Sequence, residues 1–362
     1  MSRAARLLVE ALRQPESVAG LDADGWTALL SAARAEQLIA SLAHRLEGQV
    51  VPEAAAAILA DAKRAAEQGA VHALWEAEMA RRALAPLHVP IILLKGTAFV
   101  AAGLDASKGR FVGDLDILVE RERLPDVERA LLAAGWEWVK ESAYDSHYYR
   151  SWMHELPPLI HRNRDRMIDV HHTILPPTAR PKPDAAALIA DSIPLPDGMR
   201  ILSPPDLIVH AAAHLFADGD LAGGLRNLWD IDRLLREFTL RQNFIPTLLG
   251  RARHHDLERE VRRALRLSKN LYGTPLPQIG PLSAVDRLYR RRFLARDGWA
   301  RPTHWFIRQA FYVRSHWIRM PPLLLARHLF IKALFRRPAE PKAIDAADSA
   351  LRMPSPPSPP RH

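Results

Sequence analysis

The sequence contains no cysteine. Disulfides, thiolate catalysis and cysteine-based zinc or redox centres are therefore excluded, and any metal must rest on carboxylates or imidazoles. Also absent is any uninterrupted apolar run of roughly eighteen residues, so nothing reads as a membrane span. The opening "MSRAARLLVEALRQPES" has a short amphipathic helix pattern without a signal-peptide cleavage site, and no internal repeat is found. The expectation is a cytoplasmic protein.

What is present is a chain of 362 residues with 48% hydrophobic content, enough for one large or two medium domains with proper cores. Net charge is +9, carried more by arginine than by lysine. A basic balance fits nucleic acid, phosphorylated substrates or anionic membrane surfaces. It fits equally a genome whose codon usage favours Ala, Arg and Pro.

Periodicity divides the chain. Residues 1–85 carry apolar positions at helical spacing and form a helical N-terminal arm. From "HVPIILLKG" the pattern turns to short apolar strands. "DLDILV" is a strand and "ERLPDVERALLAAG" a helix closed by glycine; "WEWVK", "HYYRSW", "PPLIHR" and "RMIDVHHTIL" are further strands. Residues 86–178 thus make a small α/β core with a mixed sheet. After the Pro-rich crossing "LPPTARPKPDAA", residues 179–345 read as an all-α C-terminal lobe. The Pro/Ser-rich end, 346–362, is expected to be disordered. The fold class is α+β.

Within the core, Asp114 and Asp116 flank Leu115 in an otherwise apolar strand. Side chains alternate along a strand, so both carboxylates share a face, about 6–7 Å apart at the Cα level. Two acids so placed repel, and a shared Mg²⁺ or Mn²⁺ removes the conflict. The bland alternative is a strand end where both face water. One strand earlier, Lys95-Gly96-Thr97 opens a helix. Its glycine lets phosphate approach the backbone, its free amides favour an anion, and Lys95 adds a point charge. Plain helix capping is the alternative. Asp169, on a later strand, shares a face with His171. Three carboxylates from two strands are the set that two-metal phosphoryl chemistry requires.

This combination resembles the nucleotidyltransferase superfamily of the DNA polymerase β type. More narrowly it is similar to a bacterial family of uncharacterised nucleotidyltransferases. The residues that carry the resemblance are Leu94-Lys95-Gly96-Thr97, Arg110, Asp114, Asp116, Asp169-Val170-His171-His172 and Leu225-Arg226-Asn227-Leu228-Trp229-Asp230. His172 stands where that family usually has Trp, and the loop from Thr97 to Asp114 is long for the wider superfamily. The resemblance implies transfer of a nucleoside monophosphate from an NTP such as ATP, with pyrophosphate released. Asp114, Asp116 and Asp169 would then be catalytic and metal-binding, with Mg²⁺ or Mn²⁺ as cofactor. Lys95, Gly96, Thr97 and Arg110 would bind nucleotide. The acceptor is not readable and could be a small molecule, a peptide, a protein or an RNA.

Weaker features come next. His210 and His214 share a helix face, as buried hydrogen-bonded histidines or as lining of a substrate cleft; a zinc site lacks a third ligand. Arg226 and Asp230 are spaced for an intrahelical ion pair or, as the resemblance implies, a clasp on substrate. His171 is a further candidate substrate contact. From Arg287 to Arg337 there are thirteen Lys/Arg and one acid, Asp297, with aromatics interleaved. That segment suits RNA or an anionic membrane, or a core of aromatics sheathed by snorkelling arginines. Two rival functions remain open at this point. One is a glycosyltransferase using its D-x-D on a nucleotide-sugar, and the other is an inactive nucleotide- or RNA-binding adaptor of the same fold.

Overall fold

The computed structural model describes residues 3–139, 152–218 and 221–319. Four helices come first: α1 (Arg3–Arg13), α2 (Ala23–Ala35), α3 (Ile39–Arg45) and the long α4 (Glu53–Leu84). Asp22 caps α2 by accepting the Gly25 amide at 2.8 Å, which satisfies one of the orphan donors of the first turn. On α4 the buried face is mostly alanine, with Ala55, Ala66, Ala73, Ala77 and Ala80 beside Leu59, Glu76 and Leu84. It packs on α5 (Lys95–Ala101), α6 (Leu124–Ala133) and the strand Leu115–Leu118.

The strands are β1 (Ile92–Leu93), β2 (Leu115–Leu118), β3 (Trp136–Trp138), β4 (Leu159–His161), β5 (Met167–His171), β6 (Ile193–Pro194) and β7 (Arg200–Ile201). They form one mixed sheet in the order β3-β4-β5-β2-β1-β7-β6. β2 runs parallel to β5 and β1 parallel to β7, while the remaining pairs are antiparallel. All four residues of β2 are buried. A central strand covered on both faces reads as a continuous apolar run, which is why a carboxylate inside it stands out.

One feature differs from the sequence expectation. The stretch from 179 onward is not all-α, because β6 and β7 extend the sheet beyond β1. Each pairs over two residues, too few to print a strand period in the sequence. The strand expected at "HYYRSW" falls outside the described residues except for Trp152, and the 346–362 tail lies wholly outside them.

Beyond the sheet the helices are α7 (Ala185–Ala190), α8 (Pro204–Ala213), α9 (Gly224–Phe238), α10 (Phe244–His254), α11 (Glu258–Tyr272), α12 (Ala284–Phe293) and α13 (Trp305–Arg319). One apolar core joins Leu8 and Leu12 of α1, Ile92 and Leu93 of the sheet, Leu228 and Leu235 of α9 and Leu267 of α11. α1 lies on α11, and α9 on α8 and α11. The helical arm, the sheet and these helices therefore pack as one unit that ends at residue 320. Positions 321–362 lie outside the described residues. Among the described residues, no helix is long and apolar enough to cross a membrane. The described part of the basic aromatic segment divides in two. Tyr289, Phe293 and Phe311 are buried, with the Arg263 guanidinium 4.4 Å over the Tyr289 ring, whereas Trp299, Trp305 and Phe306 are exposed.

Candidate active site

β2 and β5 lie in parallel register, and that register sets Asp116 directly opposite Asp169. Asp116 is 5% exposed. A carboxylate so buried must be paired, and it is: Lys95 Nζ donates to Oδ1 at 2.5 Å, and His171 Nε2 lies 2.9 Å from the same oxygen. Burial pushes this carboxyl upward. The Lys95 charge and the His171 contact outweigh that push and hold it well below the usual carboxylate range.

Asp169 has the opposite fate. Its Oδ1 is buried with no hydrogen-bond partner among the described residues. Burial, then the Asp116 and Glu155 charges, push its carboxyl up to about 7. Asp114 stands just ahead of β2, reached by solvent, and loss of hydration followed by the Asp116 charge raises it too. It lines a small cavity with Thr97, Glu76, His72 and Arg166, so the α4 arm supplies one wall. Asp116 and Asp169 are register partners on two adjacent central strands, and Asp114 precedes the first of these strands. They are not gathered within 4.8 Å of one another as the described residues His154, Glu155 and His171 are.

The turn after β1 is shaped for close approach. Lys95 takes a left-handed φ of 48° at the first residue of α5, a conformation costly for a side-chain-bearing residue and characteristic of functional turns. Leu94 is the N-cap, so Thr97 sits inside the first turn rather than capping it, and its buried hydroxyl has no hydrogen-bond partner among the described residues. Gly96 is required by its neighbour: a Cβ there would meet Arg110 Nε at 2.7 Å. Arg110 is delivered by Gly109, whose φ of +66° and contact with the Ala40–Ser41 backbone leave no room for a side chain. Ser41 fixes this loop by donating to the Lys108 and Gly109 carbonyls at 3.0 and 3.1 Å.

Arg110 Nη1 is paired with Asp230. Asp230 also accepts from Arg226 Nη2 at 2.6 Å, and Arg226 Nη1 reaches Ser41 at 2.6 Å. The Arg226–Asp230 spacing is thus an intrahelical pair that a third residue, distant in sequence, turns into a buried network. Lys95, Phe99, Arg110, His210, His214, Asn227 and Asp230 line a narrow cavity. His210 and His214 therefore line the cleft. His210 is held well below its ordinary pKa by burial, then by Lys95 and His214, and stays neutral. His214 opens a π-helical turn (His214–Asp218), a distortion frequent at functional sites.

Sequence reasoning missed His154 and Glu155. They precede β4 in "HELPP", and only an antiparallel bridge between Glu155 and His171 brings them to the site. Nothing local in the sequence signals that bridge.

The family described as uncharacterised nucleotidyltransferases matches residues 22–273. The chain belongs to that family. Its matched region contains the Lys95-Gly96-Thr97 turn, all three aspartates, the Arg110–Asp230–Arg226 network and three of the four arm helices. The geometry above is thus that of a nucleotidyltransferase family member. No curated protein matches the chain.

Proposed function

We propose that the chain is an active nucleotidyltransferase of the DNA polymerase β type. It would transfer a nucleoside monophosphate from an NTP to a nucleophilic group of an acceptor. The observation that carries this reading is the register pair: Asp116 and Asp169 face each other on parallel strands, and the second has an unsatisfied, raised carboxyl. Like charges are held in that arrangement at a cost, and a hard divalent cation is what relieves it. Mg²⁺ or Mn²⁺ held by Asp114, Asp116 and Asp169 would neutralise triphosphate charge.

The chain's own groups take the other roles. The Lys95-Gly96-Thr97 turn offers an ammonium, a hydroxyl without a hydrogen-bond partner among the described residues and a glycine that makes room for the Arg110 guanidinium. Arg110, packed on Gly96, adds positive charge where the pyrophosphate would leave. As the acceptor oxygen bonds to the α-phosphorus, the bond to the β-phosphate oxygen breaks and its electron pair departs with pyrophosphate. The acceptor proton passes to the Asp169 carboxylate where that group serves as base in place of completing the metal set. The lack of cysteine accords with a cytoplasmic location.

The test is pyrophosphate release from each NTP with Mg²⁺ and cell extract as the source of acceptor. Asp116→Asn and Asp169→Asn should each lose about a thousand-fold or more in turnover while retaining the far-UV spectrum of the parent. Turnover unchanged in both variants would refute the reading. Thermal shifts measured with NTPs against nucleotide-sugars separate it from a glycosyltransferase.

A further inference from the structure

The segment before β4 brings a second set of ligand atoms to the end of β5. The Leu156 amide donates to the Val170 carbonyl and the His172 amide to the His154 carbonyl, both at 2.9 Å, so residues 154–156 run antiparallel to residues 170–172. This pairing holds Glu155 Oε2 at 3.5 Å from His171 Nδ1 and 3.7 Å from His154 Nε2. The ligand atoms of the three residues all lie within 4.8 Å of one another. Both histidines are buried, and their ring centroids are 5.2 Å apart.

We propose that His154 Nε2, Glu155 Oε2 and His171 Nδ1 form a binding site for a divalent transition cation, Zn²⁺, beside the aspartates. Three arguments converge. Zinc bound tetrahedrally at about 2.0–2.1 Å separates its ligands by about 3.4 Å, so two of the three spacings already fit and a small rotation of His154 closes the third. Two imidazoles and one carboxylate select zinc over magnesium, which takes oxygen ligands, and they leave a fourth position open. The other nitrogen of His171 is 2.9 Å from Asp116 Oδ1. A proton on Nε2 donated to that carboxylate leaves the Nδ1 lone pair for metal, the outer-shell arrangement typical of metal-ligating histidine.

The competing account of the same distances is a metal-free imidazolium of His171 bridging Asp116 and Glu155. Zinc binding does not depend on nucleotidyl transfer, and the test keeps the two separate. Full-length protein is dialysed against Zn²⁺ with Mg²⁺ in large excess, bound metal is counted, and the zinc K-edge X-ray absorption of the bound ion is recorded.

The expected result is one zinc per chain with two imidazoles in its first shell. His154→Ala should weaken zinc affinity by about tenfold or more, while Asp169→Asn, expected to stop turnover, retains zinc. Should His154→Ala fail to fold by circular dichroism, Glu155→Gln is judged by the same criteria. No retained zinc, an oxygen-only shell, or zinc unaffected by the folded variant would overturn the site. Zinc lost equally from Asp169→Asn would assign it to the aspartates and overturn the site as well.

Discussion

Two aspartates of this chain, Asp286 buried and Asp169 half-buried, are shifted to opposite sides of the ordinary value. Asp286 occupies the first turn of α12 in a capping box with Ser283, and Arg263 and Arg266 bond its two oxygens at 3.1 and 2.6 Å. Burial works against its charge, but Arg266 and Ser283 prevail and hold it at about 2. Asp169, also shielded, faces Asp116 and Glu155 and is pushed up to about 7. Both lose hydration, and they differ in who stands opposite. A fold built only for stability gives each buried acid a donor, as around Asp286. A fold that leaves acid against acid carries a standing penalty that something outside the protein must relieve.

The comparison is broken or sharpened by four measurements. The largest effect is on catalysis: Asp169→Asn should cost about a thousand-fold or more in pyrophosphate release, whereas Asp286→Asn, judged per folded molecule, should leave it unchanged. Next is stability. Asp286→Ala strands Arg263 and Arg266 and should cost about 3–5 kcal/mol, read by denaturant unfolding.

The third reverses the sign. In metal-free protein the Asp169 carboxyl binds its proton more tightly folded than unfolded, from an ordinary 3.8 to about 7. Its contribution is therefore favourable below about pH 4 and is lost as pH rises through 7. Asp169→Asn should then raise the unfolding free energy relative to the parent at pH 8, by an amount on the order of 1–3 kcal/mol read by denaturant unfolding, with the gap closing towards pH 4. For Asp286 the contribution is present above its ordinary value of 3.8 and disappears only as pH falls through about 2. The smallest effect concerns the turn: Gly96→Ala should displace Arg110, cost about 1 kcal/mol, and raise the KM for NTP.

Much of this was legible in the sequence for a physical reason. β2 and β5 are apolar runs interrupted by acids, and that interruption alone marks Asp116 and Asp169. The Lys95-Gly96 turn is legible because a glycine between a strand and a helix has few other uses. Arg226 and Asp230 announce their pairing by helical spacing, but Arg110, which completes that network, lies 120 residues away from Asp230 and gives no local sign. The same holds for Glu155, whose partnership with His171 exists only through a bridge between segments. β6 and β7 were missed because two residues cannot display alternation. Local period and composition reach the elements, whereas long-range pairing is a property of the packed chain.

The central claim is that Asp169 is held in electrostatic conflict with Asp116 until a divalent cation binds. Carbon-13 labelling of aspartate carboxyl groups, assigned by loss of one resonance in Asp169→Asn, tests it directly in an NMR titration of metal-free protein. The account predicts a carboxyl that titrates near pH 7 and falls towards the ordinary range when Mg²⁺ is added with a non-hydrolysable NTP analogue. A carboxyl that titrates near pH 4 and does not respond to the cation would contradict it.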